Sequence, residues 1–185
     1  AHVGEEGREL AGSGERRDAQ KKDKATGRNY HRLFVRHWDT WSDHRRSQLF
    51  IMPLAGGAEP VQLTKGIDGD VPSKPFGDEG EYYFSPDGRT VYFDVRIAGN
   101  SEPWSTNFDI YAVPSDGSAA PRDLTADNKA WDASPLPSRD GKTLYYLAMK
   151  RPGFEADRFA IMAMDLATGA KREVDQIGRA SWRER

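Results

Sequence analysis

A turn occurs twice in this chain, and the repetition constrains the fold more than any other feature. "FSPDGRTVYF" spans Phe84 to Phe93, and "LPSRDGKTLYYL" spans Leu136 to Leu147. Each copy begins with an apolar residue and runs through Ser and Pro to an Asp-Gly pair. A basic residue, a Thr and an apolar, aromatic-rich run follow. Asp-Gly supplies residues that tolerate φ > 0, as a tight hairpin turn requires. Pro86 and Pro137 stiffen the approach and end the preceding strand. Thr-Val-Tyr-Phe and Thr-Leu-Tyr-Tyr have the composition of buried strands. One copy implies a hairpin, and two imply a repeat.

A second pattern runs alongside the first. "FDIYAVPSDGSAAPRDLT" follows the same plan as "SQLFIMPLAGGAEPVQLT", and a third copy opens at "FAIMAMDLATGAKREV". With Ile51, Ile110 and Ile161 as anchors, the copies lie 59 and 51 residues apart. Repeats of about 40–50 residues built from short strands are the mark of a β-propeller. The excess length sits in "KGIDGDVPSKPFGDEG" and "RIAGNSEPWSTN". No long segment of 3.6-residue period intervenes, which argues against βαβ units. A β-sandwich of short strands is the alternative, but it leaves the matched turns unexplained. The expected fold is therefore all-β: a partial propeller of two to three blades, each a four-stranded antiparallel sheet. Residues 1–29 contain no aromatic side chain and read as a polar arm, mostly disordered or short-helical near Glu15 to Lys24. Residues 30–176 carry the repeats. In residues 30–54, "RLFVRHW" and "SQLFIMPL" read as two strands joined by the polar "DTWSDHRR".

Bulk properties exclude several classes. The 185 residues carry a formal net charge of −2 with 30% charged side chains, so nothing draws the chain to nucleic acid or an anionic membrane. Aromatic content of 11% argues against wholesale disorder. With no cysteine, disulfides, thiolate chemistry and Cys-ligated zinc are all ruled out. No apolar run reaches the roughly 18 residues of a membrane span. No cofactor is called for.

"FSPDGRTVYFDV" followed by "DIYAVPSDG" resembles the PD40, or TolB-like, propeller repeat. "YHRLFVRHWDTWSDHRRSQLFIMPL" resembles the propeller of bacterial family S9 (prolyl oligopeptidase-like) serine peptidases of the acylaminoacyl-peptidase and dipeptidyl-aminopeptidase types. That resemblance implies a propeller that screens peptide substrates before a separate α/β-hydrolase domain. It also implies a periplasmic or secreted setting in a bacterium. In that family the nucleophile sits on a G-x-S-x-G elbow. This chain has none: "AGSGE" around Ser13 lacks the spacing, and "GNSEP" around Ser101 ends in Pro103. No catalytic, cofactor-binding or metal-binding residue is assigned. The open ring leaves strand edges bare, as in a fragment of a larger protein. Residues 177–185, "IGRASWRER", resemble a translated sequencing adapter with Trp182 as a departure, and they read as a non-native tail. The alternative function is a TolB-like scaffold that binds protein partners without catalysis.

Single residues follow from the same logic. In His37-Trp38-Asp39, strand alternation places Trp38 in the core with its neighbours on the opposite face. Asp68 and Asp70 lack the further acidic ligands of a calcium loop and read as an ordinary acidic loop. Trp131, before "DASP", reads as a packing residue. Trp104, in "NSEPWSTN", is the candidate contact for substrate or partner, because loop aromatics favour such contacts. Tyr82, Tyr83, Tyr92, Tyr145 and Tyr146 read as strand residues, alternately buried.

Overall fold

The computed structural model describes residues 2–4, 14–15, 18–19, 21–27, 29–33 and 35–174. The expected tail, with Trp182, lies outside the described residues. Two four-stranded antiparallel meanders dominate. The first joins β7 (Tyr82–Phe84), β8 (Thr90–Arg96), β9 (Phe108–Pro114) and β10 (Arg122–Asp123). The second joins β11 (Asp132–Pro137), β12 (Thr143–Ala148), β13 (Ala160–Asp165) and β14 (Lys171–Glu173). In each, every strand pairs with its chain neighbour, the order of a propeller blade.

The repeated turn folds identically in both copies. Ser85 N donates to Thr90 O at 2.8 Å and Thr90 N donates to Ser85 Oγ at 2.9 Å, while Ser85 Oγ donates to Asp87 Oδ1 at 2.6 Å. Ser138, Thr143 and Asp140 reproduce the three bonds at 2.8, 2.9 and 2.7 Å. Gly88 and Gly141, at φ 71° and 68°, donate to the same serine carbonyls. Asp-Gly therefore closes β7 onto β8 and β11 onto β12.

Alternation along the strands sorts the two faces of each blade. Val91, Phe93, Val95 and Val113 point one way and meet Leu63 and Val71 from the preceding repeat. Tyr92 and Ile110 point the other way and meet Leu144, Tyr146, Ala148 and Met164 of the second meander. Consecutive sheets thus pack face to face, and the chain is a partial β-propeller with two complete blades. Tyr92 and Tyr146 are buried, whereas Tyr145, on the opposite alternation from Tyr146, and Tyr83, on the outer strand opposite Tyr92, are exposed.

The region before residue 65 is less regular than the sequence implies. Among the described residues of "RLFVRHW", Arg36–His37 (β2) is the strand, and it turns back through Trp38-Asp39 onto β3 (Thr40–Trp41). "DTWSDHRR" is accordingly not a plain connection: it supplies β3 and the start of β4 (Arg45–Ser47). β5 (Phe50–Ile51) pairs with β6 (Val61–Gln62). β1 (His2–Gly4), inside the polar arm, pairs with β4, and the described positions between 14 and 22 are helical.

The anchor of the first repeat also needs correcting. Leu49 N donates to Thr64 Oγ1 and accepts Leu63 N at its carbonyl, as Ile110 does with Thr125 and Leu124. The partner of Ile110 is therefore Leu49, not Ile51. A strand of alternating Leu, Phe, Ile and Met offers several registers to the eye, but only one aligns the turn glycines. Gly56 N reaches Pro53 O as Gly117 N reaches Pro114 O.

Candidate functional site

The β2–β3 hairpin, β4 and the two long loops enclose a cavity of about 550 Å³. Its floor is ionic. Arg46, on β4, donates through Nη1 and Nη2 to Glu102 Oε1 and Oε2 at 2.9 and 2.7 Å, and through Nη1 to Asp70 Oδ2 at 2.9 Å. Asp70 also accepts Ser47 N at 2.6 Å and lies 2.9 Å from Lys74 Nζ. Arg32 and, at 3.6 Å, Arg46 hold Asp68. The acidic loop is thus a set of counterions, stitching the 65–80 loop to β4. Bidentate pairing of this kind is the strong form of ion pair. Burial works to lower the Arg46 pKa, but Glu102 and Asp70 overcome it and raise the guanidinium above its ordinary value. The Arg32 hydrogen bond holds the Asp68 carboxyl below the usual carboxylate range.

Arg96, at the end of β8, completes the floor. It donates to Ser105 O at 3.0 Å and lies over the Phe108 ring at 5.2 Å. Its nearest carboxylate is Glu102, at 3.9 Å. Burial and the neighbouring Arg46 lower its pKa, and Glu102 offsets this only in part.

The mouth is aromatic. Trp38 is 72% exposed and packs against Phe76 with ring centroids 5.2 Å apart; Phe76 is 71% exposed. Trp38 is therefore not a core residue, because the hairpin turns at its position and lifts it out of the sheet. Its φ of 47°, and that of His44 at 59°, lie in the left-handed region. For bulky residues that conformation costs on the order of 1–3 kcal/mol, and such strain gathers at functional sites. Asp39 accepts from Thr40 Oγ1 at 3.3 Å, at the rim. Trp41 lies between Tyr30 and the Arg36 guanidinium.

Trp104, the sequence candidate, is 67% exposed and does not line this cavity. Its loop reaches the cavity through Glu102, two residues earlier. Trp131 stacks on Phe108 at 4.9 Å and meets Phe159 edge-on, as a packing residue does. Sequence reasoning missed Arg46, Arg96 and Glu102, since an Arg or Glu beside a loop carries no local signal that it will be largely buried, and Arg46 and Glu102 pair across 56 residues.

Meander sheets stacked face to face place the chain among propeller-type all-β proteins. No family model matches it. Among curated proteins it is similar to dipeptidyl-peptidase 5. The Porphyromonas gingivalis protein of that name is 31% identical over 160 residues, 83% of this chain and 22% of the relative. The Trichophyton schoenleinii protein is 30% identical over 182 residues, 89% of this chain and 24% of the relative. The chain thus spans under a quarter of the length of the relatives it matches. Among solved structures, TolB proteins of Agrobacterium tumefaciens and Acinetobacter baumannii align with TM-scores of 0.47 and 0.41. Their identities are 22% and 20%, over 71% and 62% of this chain and 40% and 23% of theirs.

Proposed function

We propose that this chain is part of the propeller of an S9-type dipeptidyl peptidase, screening peptides on their way to an α/β-hydrolase domain of the same protein. One observation carries the reading: the similarity to dipeptidyl-peptidase 5 runs through 83–89% of the chain and accounts for 22–24% of the relatives' length. The chemistry would lie outside these residues. A rigid ring of sheets beside an active site admits short flexible peptides and turns away folded proteins, without supplying nucleophile, acid or base.

The test is to isolate the complete reading frame that contains this sequence. The complete protein is expected to release dipeptides from peptide substrates and to be silenced by a serine-directed inhibitor, while residues 1–185 alone release none. A reading frame with further strands but no G-x-S-x-G would replace the peptidase with the binding scaffold. Trp104 is the proposed contact for incoming peptide. In the complete enzyme, Trp104→Ala should raise KM about three- to tenfold with kcat little changed, since only uniform binding is lost. An unchanged KM would remove Trp104 from the path.

A further inference from the structure

We infer that the cavity under the β2–β3 hairpin binds a small carboxylate bearing a flat apolar group. The anion would meet Arg96, and the apolar group would lie against Trp38 and Phe76. Charge on the floor carries the first half. Among the described residues, Arg46, Lys74 and Arg96 share Asp70 and Glu102, and Asp68, held by Arg32, also lies 3.6 Å from Arg46 Nε. Both oxygens of Glu102 are already bonded to Arg46. Arg96 is therefore only partly compensated at the cavity wall, with its side chain 19% exposed and its nearest carboxylate, shared with Arg46, at 3.9 Å. Of the other acids nearby, Asp39 is exposed at the rim, and Glu155 is exposed and outside ion-pair distance. A half-buried guanidinium short of one counterion is the feature that recruits a carboxylate, with its fork geometry matched to the two oxygens.

The mouth supplies the second half. Trp38 and Phe76 present about seven-tenths of their surface to solvent, side by side, on the approach to this charge. Trp38 is held there in a left-handed conformation that few side chains adopt without a reason. Small-ligand sites commonly combine such an aromatic wall with a few fixed polar groups. This inference does not depend on the peptidase reading, and an inactive complete protein would leave it standing.

The probes are N-acetyl-phenylalanine and its amide, which differ only in the anion, titrated while the Trp indole signals are followed by NMR. The acid should shift the Trp38 indole saturably, with the amide about tenfold or more weaker, the usual consequence of losing a charged hydrogen bond. Arg96→Gln should erase the preference, and Trp38→Ala should weaken acid and amide by a similar factor. Equal shifts from acid and amide, or no shift from either at tens of millimolar, would overturn the proposal. The comparison of acid with amide on the unmodified chain needs no variant to fold.

Discussion

Asp109 shows how one buried side chain sets a pH dependence. It is 8% exposed, Asn107 Nδ2 donates to its Oδ2 at 3.0 Å, and among the described residues neither its Oδ1 nor Asn107 Oδ1 has a partner. Burial, with Asp123 and Asp132 facing it and Lys129 only partly offsetting them, pushes its pKa up to about 7. Protonation removes the buried charge and turns one orphan acceptor into a donor. Because the folded pKa lies above the unfolded value near 3.8, the contribution is complete below pH 4. It is lost as pH rises through 7. Asp132, pushed by burial to about 6, acts in the same direction. The carboxyls that Arg and Ser partners hold low titrate below this window. Stability measured by urea unfolding should therefore fall between pH 4 and pH 8. Asp109→Asn, whose amide can donate permanently, should gain about 2 kcal/mol at pH 7 and flatten the profile. A variant less stable at every pH would refute the protonated state. Nothing in "TNFDIYAV" announces this, because Asp at a strand start reads as polar edge; burial comes from the loop and the following blade, which no local pattern records.

At the scale of elements, a buried threonine closes each of the first two repeats. Thr64 and Thr125 are fully buried, and each hydroxyl accepts a backbone N–H: that of Leu49, just before β5, in one case and that of Ile110, on β9, in the other. Val has nearly the same shape and no acceptor. Thr125→Val should then cost about 1–3 kcal/mol, the penalty of an unsatisfied buried N–H; a cost below about 0.5 kcal/mol in thermal unfolding would show that another acceptor takes over. The turns and the strands they join were legible in sequence because the turn bonds run between residues a few positions apart, and the "DLT" and "QLT" endings because they repeat, though their threonine bonds span fifteen residues. The β2–β3 hairpin was not, since its alternation of Arg, His, Trp and Asp suits a continuous strand equally well. The turn shows in the pairing of Arg36 with Trp41 and His37 with Thr40, and in the left-handed backbone of Trp38.

At the scale of the whole molecule, the two blades differ in what covers them. Tyr92 is 6% exposed under the second meander, whereas Tyr145, its counterpart one repeat later, is 37% exposed beside Leu136 at 51%. The surface that covers Tyr92 is another sheet carrying Leu144, Tyr146 and Ala148, so the complement of the Tyr145 face is a further sheet of that kind. In a solution of these residues alone, a second copy is the available source. Self-association should be evident by sedimentation at tens of micromolar, and Tyr145→Lys should suppress it by placing a charge on the contact. A monomeric parent chain would mean that the face is adequately solvated.

The matched turns have a consequence in time as well as in space. A loop whose Ser, Asp and Gly bond to one another across five residues needs no distant partner, so it can close in microseconds, before any sheet exists. Each such closure fixes which residue of β7 lies opposite which residue of β8, and likewise for β11 and β12. Strand pairing is ordinarily slow where contacts are remote in sequence. Here every pairing within a meander is between neighbours, so a blade can mature as it leaves the ribosome. The slow event left to the chain is the docking of one finished blade on the next.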